Sequence, residues 1–225
     1  WASNPIETQK KQLNYLIKNA LNTSFGQVHS FSKIKNYDDF KNHIPVRDYE
    51  GLREYFEQIK EGKKNVLWPG KPLYLAVTSG TTSGSKYIPI TKQSLPNHLN
   101  GAKIALLMYV AETGKVDFIN GKFIFIQGSP VLSKISGILT GRLSGISAHH
   151  IPFYMKKNML PSWSTNIIEE WENKIESIVK ETMEANMTII SGIPSWLQMY
   201  FEKIVDKTNK NCLLYTSDAA DDLWC

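Results

Sequence analysis

Three short apolar runs constrain the fold most: LYLAV at 73–77, KFIFIQ at 122–127 and TIIS at 188–191. Each is short, rich in β-branched or aromatic residues, and closed off by Gly, Pro, Ser or Asn. That pattern reads as buried strand and not as helix. Between the runs lie segments with helical spacing. One covers 92–111, with Pro96 near its start. Another places Ile168, Trp171, Ile175, Ile178, Val179 and Met183 on one face, with Thr165 as the expected cap and Glu169 and Glu170 on the wet side. A last helix is expected from about Ser195, after the turn Gly192-Ile193-Pro194. Strands alternating with helices predict an α/β domain on a largely parallel sheet. Residues 128–161 are rich in Gly, Ser and Pro and show no period that places elements.

The first 65 residues have a different texture and read as a helical N-terminal segment. Asn4, Pro5 and Glu7 supply an N-cap, a first-turn proline and a capping-box acid. Leu13, Leu16, Ile17, Ala20 and Leu21 then recur at helical spacing, with Gly26 as a stop. Further helices are expected over 37–43 and 48–60, the latter ending before Gly62. The α/β part is expected to run from 66 to 211.

Composition excludes several classes. Hydrophobic residues make up 42% of the 225, with six Trp, ten Tyr and nine Phe, so the chain can bury a core. It contains no run of eighteen apolar residues and no charged-then-apolar leader, so neither a conventional membrane-spanning helix nor secretion is expected, and the expected location is cytoplasmic. The net charge is +5, or +8 without the three acids of residues 212–225; it suits anionic ligands, but it is spread along the chain without a basic block and so is weak evidence for nucleic acid. The chain opens on Trp1, as expected of a segment cut from a longer reading frame. Residues 212–225 resemble the translation of a sequencing adapter and are set apart as non-native; the alternative is a genuine strand, CLLYTS, followed by an acidic turn. Both cysteines, Cys212 and Cys225, fall there, leaving no disulfide framework and no thiol nucleophile in 1–211.

The stretch that carries chemistry is LAVTSGTTSGSKYIPIT, residues 75–91. From Thr78 to Lys86 it consists of Ser, Thr, Gly and Lys alone. Glycines let backbone N–H groups close on an anion, hydroxyls add donors, and a lysine adds charge. The same composition would also serve a flexible linker or an ordinary turn after a strand. Three residues, not four, separate Gly80 from Gly84, and Ser85-Lys86-Tyr87 replaces Gly-Lys-Ser/Thr, so this is not the common P-loop. No G-x-G-x-x-G occurs either.

Ser79-Gly80-Thr81-Thr82-Ser83-Gly84-Ser85-Lys86 does resemble the first ATP signature of adenylate-forming enzymes. With NPIETQKKQLNYLIKNALNTSFG, HIPVRDYEGL, NVLWPGKPLYLAVTSGTTSGSKYIPIT and ISGIPSWLQMYFE, the chain resembles the bacterial branch of the auxin-responsive acyl acid–amido synthetases over nearly all of 1–211. One departure is Arg142, where many relatives carry an acid; no role is assigned to it.

The resemblance implies a helical N-terminal segment followed by part of the mostly parallel-sheet large domain. It implies an enzyme that uses ATP and Mg²⁺ to adenylate a carboxylic acid and then passes the acyl group to an amine or amino acid. Ser79, Thr81, Thr82 and Ser83 become donors to the phosphates, Gly80 and Gly84 allow close approach, and Lys86 clamps charge. Ser191, Gly192, Trp196 and Met199 fall near the acyl site, although Trp196 reads equally as core. No general base, nucleophile or protein metal ligand is assigned, and neither nucleic acid nor membrane is an expected partner. Signatures for adenine and ribose, and a mobile C-terminal domain, are expected beyond residue 211, so this chain is expected to be inactive alone. Two alternatives stand: an acyl-CoA ligase with the same loop, and a non-catalytic binding protein that has kept the fold. Other features have plain readings. His149-His150 is a poor metal pair, LWPG at 67–70 is a turn anchored by a tryptophan, and Lys10-Lys11, Lys63-Lys64 and Lys156-Lys157 are solvated surface.

Overall fold

The computed structural model describes residues 3–78 and 84–208. Helix α1 (Pro5–Ala20) begins at Asn4, but the Asn4 side chain makes no capping bond, so the expected capping box does not form. The helix also ends six residues before Gly26, which instead lies in α2 (Ser24–Val28). The reason is Thr23, which is fully buried. Its hydroxyl donates to the Ala20 carbonyl at 2.7 Å and accepts from the Gly26 N–H at 3.0 Å, closing one helix and opening the next. Gly26 is required for contact: a Cβ there would lie 2.1 Å from the Ala20 oxygen.

Helix α3 (Tyr37–His43) has the expected bounds, with Asn36 as its side-chain cap. The segment expected to be helical from Asp48 starts later, as a 3₁₀ turn at Glu50–Leu52 that leads into α4 (Arg53–Lys60). Strands β1 (Tyr74–Thr78) and β2 (Lys86–Ile90) follow, then α5 (Leu95–Thr113). That helix begins at Leu95 because Thr91 and Ser94 exchange side chain–backbone hydrogen bonds at 2.9 and 3.0 Å. Next come β3 (Lys122–Ile126), β4 (Ser133–Ile135), β5 (Ile138–Gly141), α6 (Leu143–Ala148), α7 (Phe153–Lys156), β6 (Met159–Leu160) and α8 (Trp163–Asn166). Last are α9 (Trp171–Thr182), β7 (Met187–Gly192) and α10 (Pro194–Thr208). Thr165 does not cap α9. It lies inside α8, and Glu170 caps α9 by accepting from the N–H groups of Glu172 and Asn173 at 3.0 and 2.7 Å. None of the helices among the described residues is long and apolar enough to cross a membrane.

The contacts form two compact units, and each has its own sheet. The first takes the described residues up to 98 together with 132–143. Its four-stranded sheet has the order β2-β1-β5-β4 and is mixed: β1 runs parallel to β5 and antiparallel to β2, and β4 and β5 form a hairpin. Ser136 and Gly137, at φ 47° and 79°, supply the two left-handed positions of that hairpin's turn. Leu75, Ile138, Val66 and Ile59 form a core beneath the sheet, while Ile17, Ala20, Phe31 and Ile34 form another among the helices.

The second unit takes residues 99–131 and those described from 144 onward. Its sheet, β6-β3-β7, is parallel throughout. Helices α9 and α10 seal it: Ile124 and Ile126 of β3 pack with Ile175, Ile178, Val179 and Tyr200. The α/β class with parallel strands is therefore present, but the strands fall into two sheets and only one is purely parallel.

Candidate functional site

The Ser/Thr/Gly/Lys stretch connects β1 and β2, which pair antiparallel from Tyr74↔Ile90 to Thr78↔Lys86. It is therefore the tip of a β-hairpin and not a strand-to-helix turn. Ser79, Gly80, Thr81, Thr82 and Ser83 lie outside the described residues. Gly84 is described. It has φ +77° and open space where a Cβ would be, so the backbone conformation and not crowding calls for glycine there. Lys86 opens β2, directly across from Thr78.

Strand β2 is the sheet edge, which is why Pro89 fits there without breaking a ladder bond. An edge strand also turns some N–H groups away from the sheet, and these need other partners. For Tyr87 the partner is the Tyr49 hydroxyl, which accepts its N–H at 3.0 Å. The Tyr49 ring stacks on Phe56 of α4, with centroids 4.7 Å apart, and carries the Lys86 ammonium 5.3 Å above its own centroid. Lys60 likewise lies 4.7 Å over the Tyr87 ring while pairing with Glu57 at 2.8 Å.

Beside Lys86, Glu50 is gripped by Arg53 through two hydrogen bonds, at 2.6 and 2.8 Å. That bond is the chief cause holding the Glu50 carboxyl below the usual carboxylate range, with Lys86 helping from further off; Glu50 in turn raises the Arg53 guanidinium. Among the described residues Lys86 forms no salt bridge.

The residues expected near an acyl group lie in the second unit. Ser191 and Gly192 end β7, exposed, opposite Phe125 and Ile126 of β3. Gly192 approaches β3 closely: a Cβ would meet the Ile126 oxygen at 3.0 Å. Met199 is half-buried on α10. The Trp196 ring meets Trp171 at a tilt, with centroids 4.7 Å apart, and packs against the core, in line with its core reading. The His149 Nε2–H donates to the Pro130 carbonyl at 2.9 Å, so Nε2 carries a proton. Tyr49 is the site residue that composition and periodicity missed. Its only sequence signal was a place within HIPVRDYEGL.

A family model, the GH3 family N-terminal domain, matches residues 1–169. The indole-3-acetic acid-amido synthetase GH3.15 of Arabidopsis thaliana is 34% identical over 74 residues, 32% of this chain and 12% of that protein. Arabidopsis GH3.5, also an indole-3-acetic acid-amido synthetase, is 28% identical over 145 residues, 62% of this chain and 23% of that protein. The matched segments thus cover less than a quarter of the length of these relatives. Among solved structures, the AtGH3.15 acyl acid amido synthetase in complex with 2,4-DB superposes with a TM-score of 0.69 at 16% identity, covering 91% of this chain and 36% of that one. A second structure of the GH3.15 acyl acid amido synthetase gives 0.67 at 15%, covering 88% and 36%. At these identities the structures establish a shared fold.

Proposed function

Because the chain belongs to the GH3 family, we propose that it forms part of an ATP-dependent acyl acid–amido synthetase. The reaction takes two steps. A carboxylate oxygen of the acid attacks the α-phosphorus of ATP, the bond to the bridging oxygen breaks, and pyrophosphate leaves as the acyl-adenylate forms. The nitrogen of an amine or amino acid then attacks the acyl carbon, AMP leaves with the bonding pair, and the nitrogen sheds a proton to give the amide.

The observation that carries this reading is the family match over 1–169, which spans the whole β1–β2 hairpin and its tip. Negative charge grows on the departing pyrophosphate, and the hairpin tip is composed to receive it. Lys86, free of any carboxylate partner among the described residues, clamps the phosphate oxygens. Ser79, Thr81, Thr82 and Ser83 donate from hydroxyls or backbone N–H groups, and Gly80 and Gly84 let the backbone come close. Ser191, Gly192 and Met199 border the acid, while Trp196 supports them from its contact with Trp171.

No cluster of three or more His, Cys, Asp or Glu among the described residues could hold a metal ion. The adenylation step calls for Mg²⁺, which would be carried in on the nucleotide phosphates. Bound there, the ion neutralises phosphate charge.

Acid-dependent ATP–pyrophosphate exchange by the full-length protein tests the reading. Exchange should appear with a carboxylic acid and fall at least tenfold in Thr81→Ala and Lys86→Ala. Amino acids should consume the acyl-adenylate, and coenzyme A should not. The 225-residue chain alone should support no exchange. A full-length protein that neither binds MgATP nor exchanges pyrophosphate with any of a panel of acids would overturn the proposal.

A further inference from the structure

We infer that Tyr49 is a positioning residue for the Lys86 ammonium. The inference rests on the phosphate-binding reading of the hairpin. Lysine is a flexible point charge on a four-carbon stem, so an unheld lysine loses much rotamer freedom when it engages a phosphate. Tyr49 holds Lys86 on two sides. Its ring lies under the ammonium at 5.3 Å, within reach of a cation–π attraction. Its hydroxyl accepts the N–H of Tyr87 at 3.0 Å, which fixes the peptide unit that joins Lys86 to Tyr87.

The tyrosine is itself held. Phe56 stacks beneath it at 4.7 Å and 17°, and Phe56 is buried on α4. The chain of support therefore runs from the core through Phe56 and Tyr49 to the first residue of β2. The neighbour of Tyr49 completes the device. Glu50 would be a natural partner for Lys86, but both its oxygens are engaged by Arg53. Lys86 is left over a π-face, which orients a cation without neutralising it. A carboxylate in that place would compete with a phosphate for the same charge.

Two substitutions separate the parts of this arrangement. Tyr49→Phe keeps the ring and removes the hydroxyl; Tyr49→Leu removes both. Without nucleotide, Tyr87 amide exchange should quicken about tenfold in both variants, as expected for the loss of one hydrogen bond. Acetic anhydride labelling of Lys86 should quicken several-fold in Tyr49→Leu and stay unchanged in Tyr49→Phe. With nucleotide, Tyr49→Leu in the full-length enzyme should raise KM for MgATP several-fold with a smaller change in kcat. That effect should vanish in a Lys86→Met background, which a merely structural role would not produce. Unchanged labelling and exchange in a folded Tyr49→Leu variant overturn the inference. If the wild type fails to bind MgATP, the phosphate reading falls, while the labelling and exchange data still decide whether Tyr49 holds Lys86.

Discussion

The Lys174 ammonium donates a 2.7 Å hydrogen bond to the Asn166 backbone carbonyl, so this cation is satisfied by carbonyl dipoles and not by an acid. A second bond, at 3.2 Å, goes to the carbonyl of Gln127, just past the end of β3. Lys174 is only 3% exposed, and the bonds tie the first turn of α9 to the end of the central strand. Burial pushes its pKa below the ordinary lysine value. Between that lowered pKa and the unfolded value near 10.4, the unfolded chain holds the proton more tightly, so stability rises with pH across that window. Urea midpoints taken from pH 7 upward should climb for the wild type relative to Lys174→Met. Parallel curves would show that the lysine is not buried in solution.

Glu181 gives the opposite dependence. Burial acts to raise its carboxyl pKa, but hydrogen bonds from the Ser162 hydroxyl (2.6 Å), the Thr165 hydroxyl (2.6 Å) and the Ser162 N–H (2.7 Å) outweigh it, and the net shift is downward. Its contribution is complete above the unfolded value near 4.3 and is lost as pH falls through the lowered folded pKa. Glu181→Ala should cost about 1–3 kcal/mol at neutral pH, because the donors at the start of α8 lose their acceptor. Glu181→Gln should remove the acid-side dependence while keeping part of the bonding. Thermal melts from pH 3 to 7 on all three proteins decide it.

Much of this architecture is legible from local pattern. β1, β3 and β7 were visible because a buried strand concentrates apolar residues in a short run, and α3 because Ile44-Pro45 closes it locally. The failures are tertiary. Thr165 looks like a helix cap, but its hydroxyl is taken by Glu181, sixteen residues on, so the cap falls to Glu170. The three-residue β4 is too short to show a period, and its hairpin turns on Ser136-Gly137, a pair lost in a Gly/Ser-rich stretch. At the candidate site Gly84 and Lys86 stand out by composition. Tyr49 does not, because what marks it is a hydrogen bond across 38 residues of chain.

Gly26 and Thr23 should tolerate little change. Gly26→Ala places a methyl group 2.1 Å from the Ala20 oxygen, a backbone atom that cannot swing away, and should cost about 1–3 kcal/mol or more. Thr23→Val keeps the shape but removes both bonds of a fully buried hydroxyl, leaving the Ala20 carbonyl and Gly26 N–H without their partner; about 1–3 kcal/mol is expected. Both losses should appear as lower urea midpoints. A wild-type midpoint in Gly26→Ala would mean that α1 and α2 meet less closely than their geometry indicates.

Arg53 should matter to nucleotide binding although its own contact is with Glu50. It holds that carboxylate through both oxygens, and release would let Glu50 compete for the Lys86 ammonium. Arg53→Gln in the full-length enzyme should therefore raise KM for MgATP by about two- to fivefold, the scale of an exposed ion pair. Glu50→Gln alone should leave KM near wild type, since it removes the competitor. The Glu50→Gln/Arg53→Gln double variant should recover most of what the single Arg53 change loses. Raised salt should shrink the Arg53→Gln effect, because both charges are about half exposed and screened. A double variant as impaired as Arg53→Gln would mean that Arg53 acts on the phosphates directly and not by holding Glu50 away from Lys86.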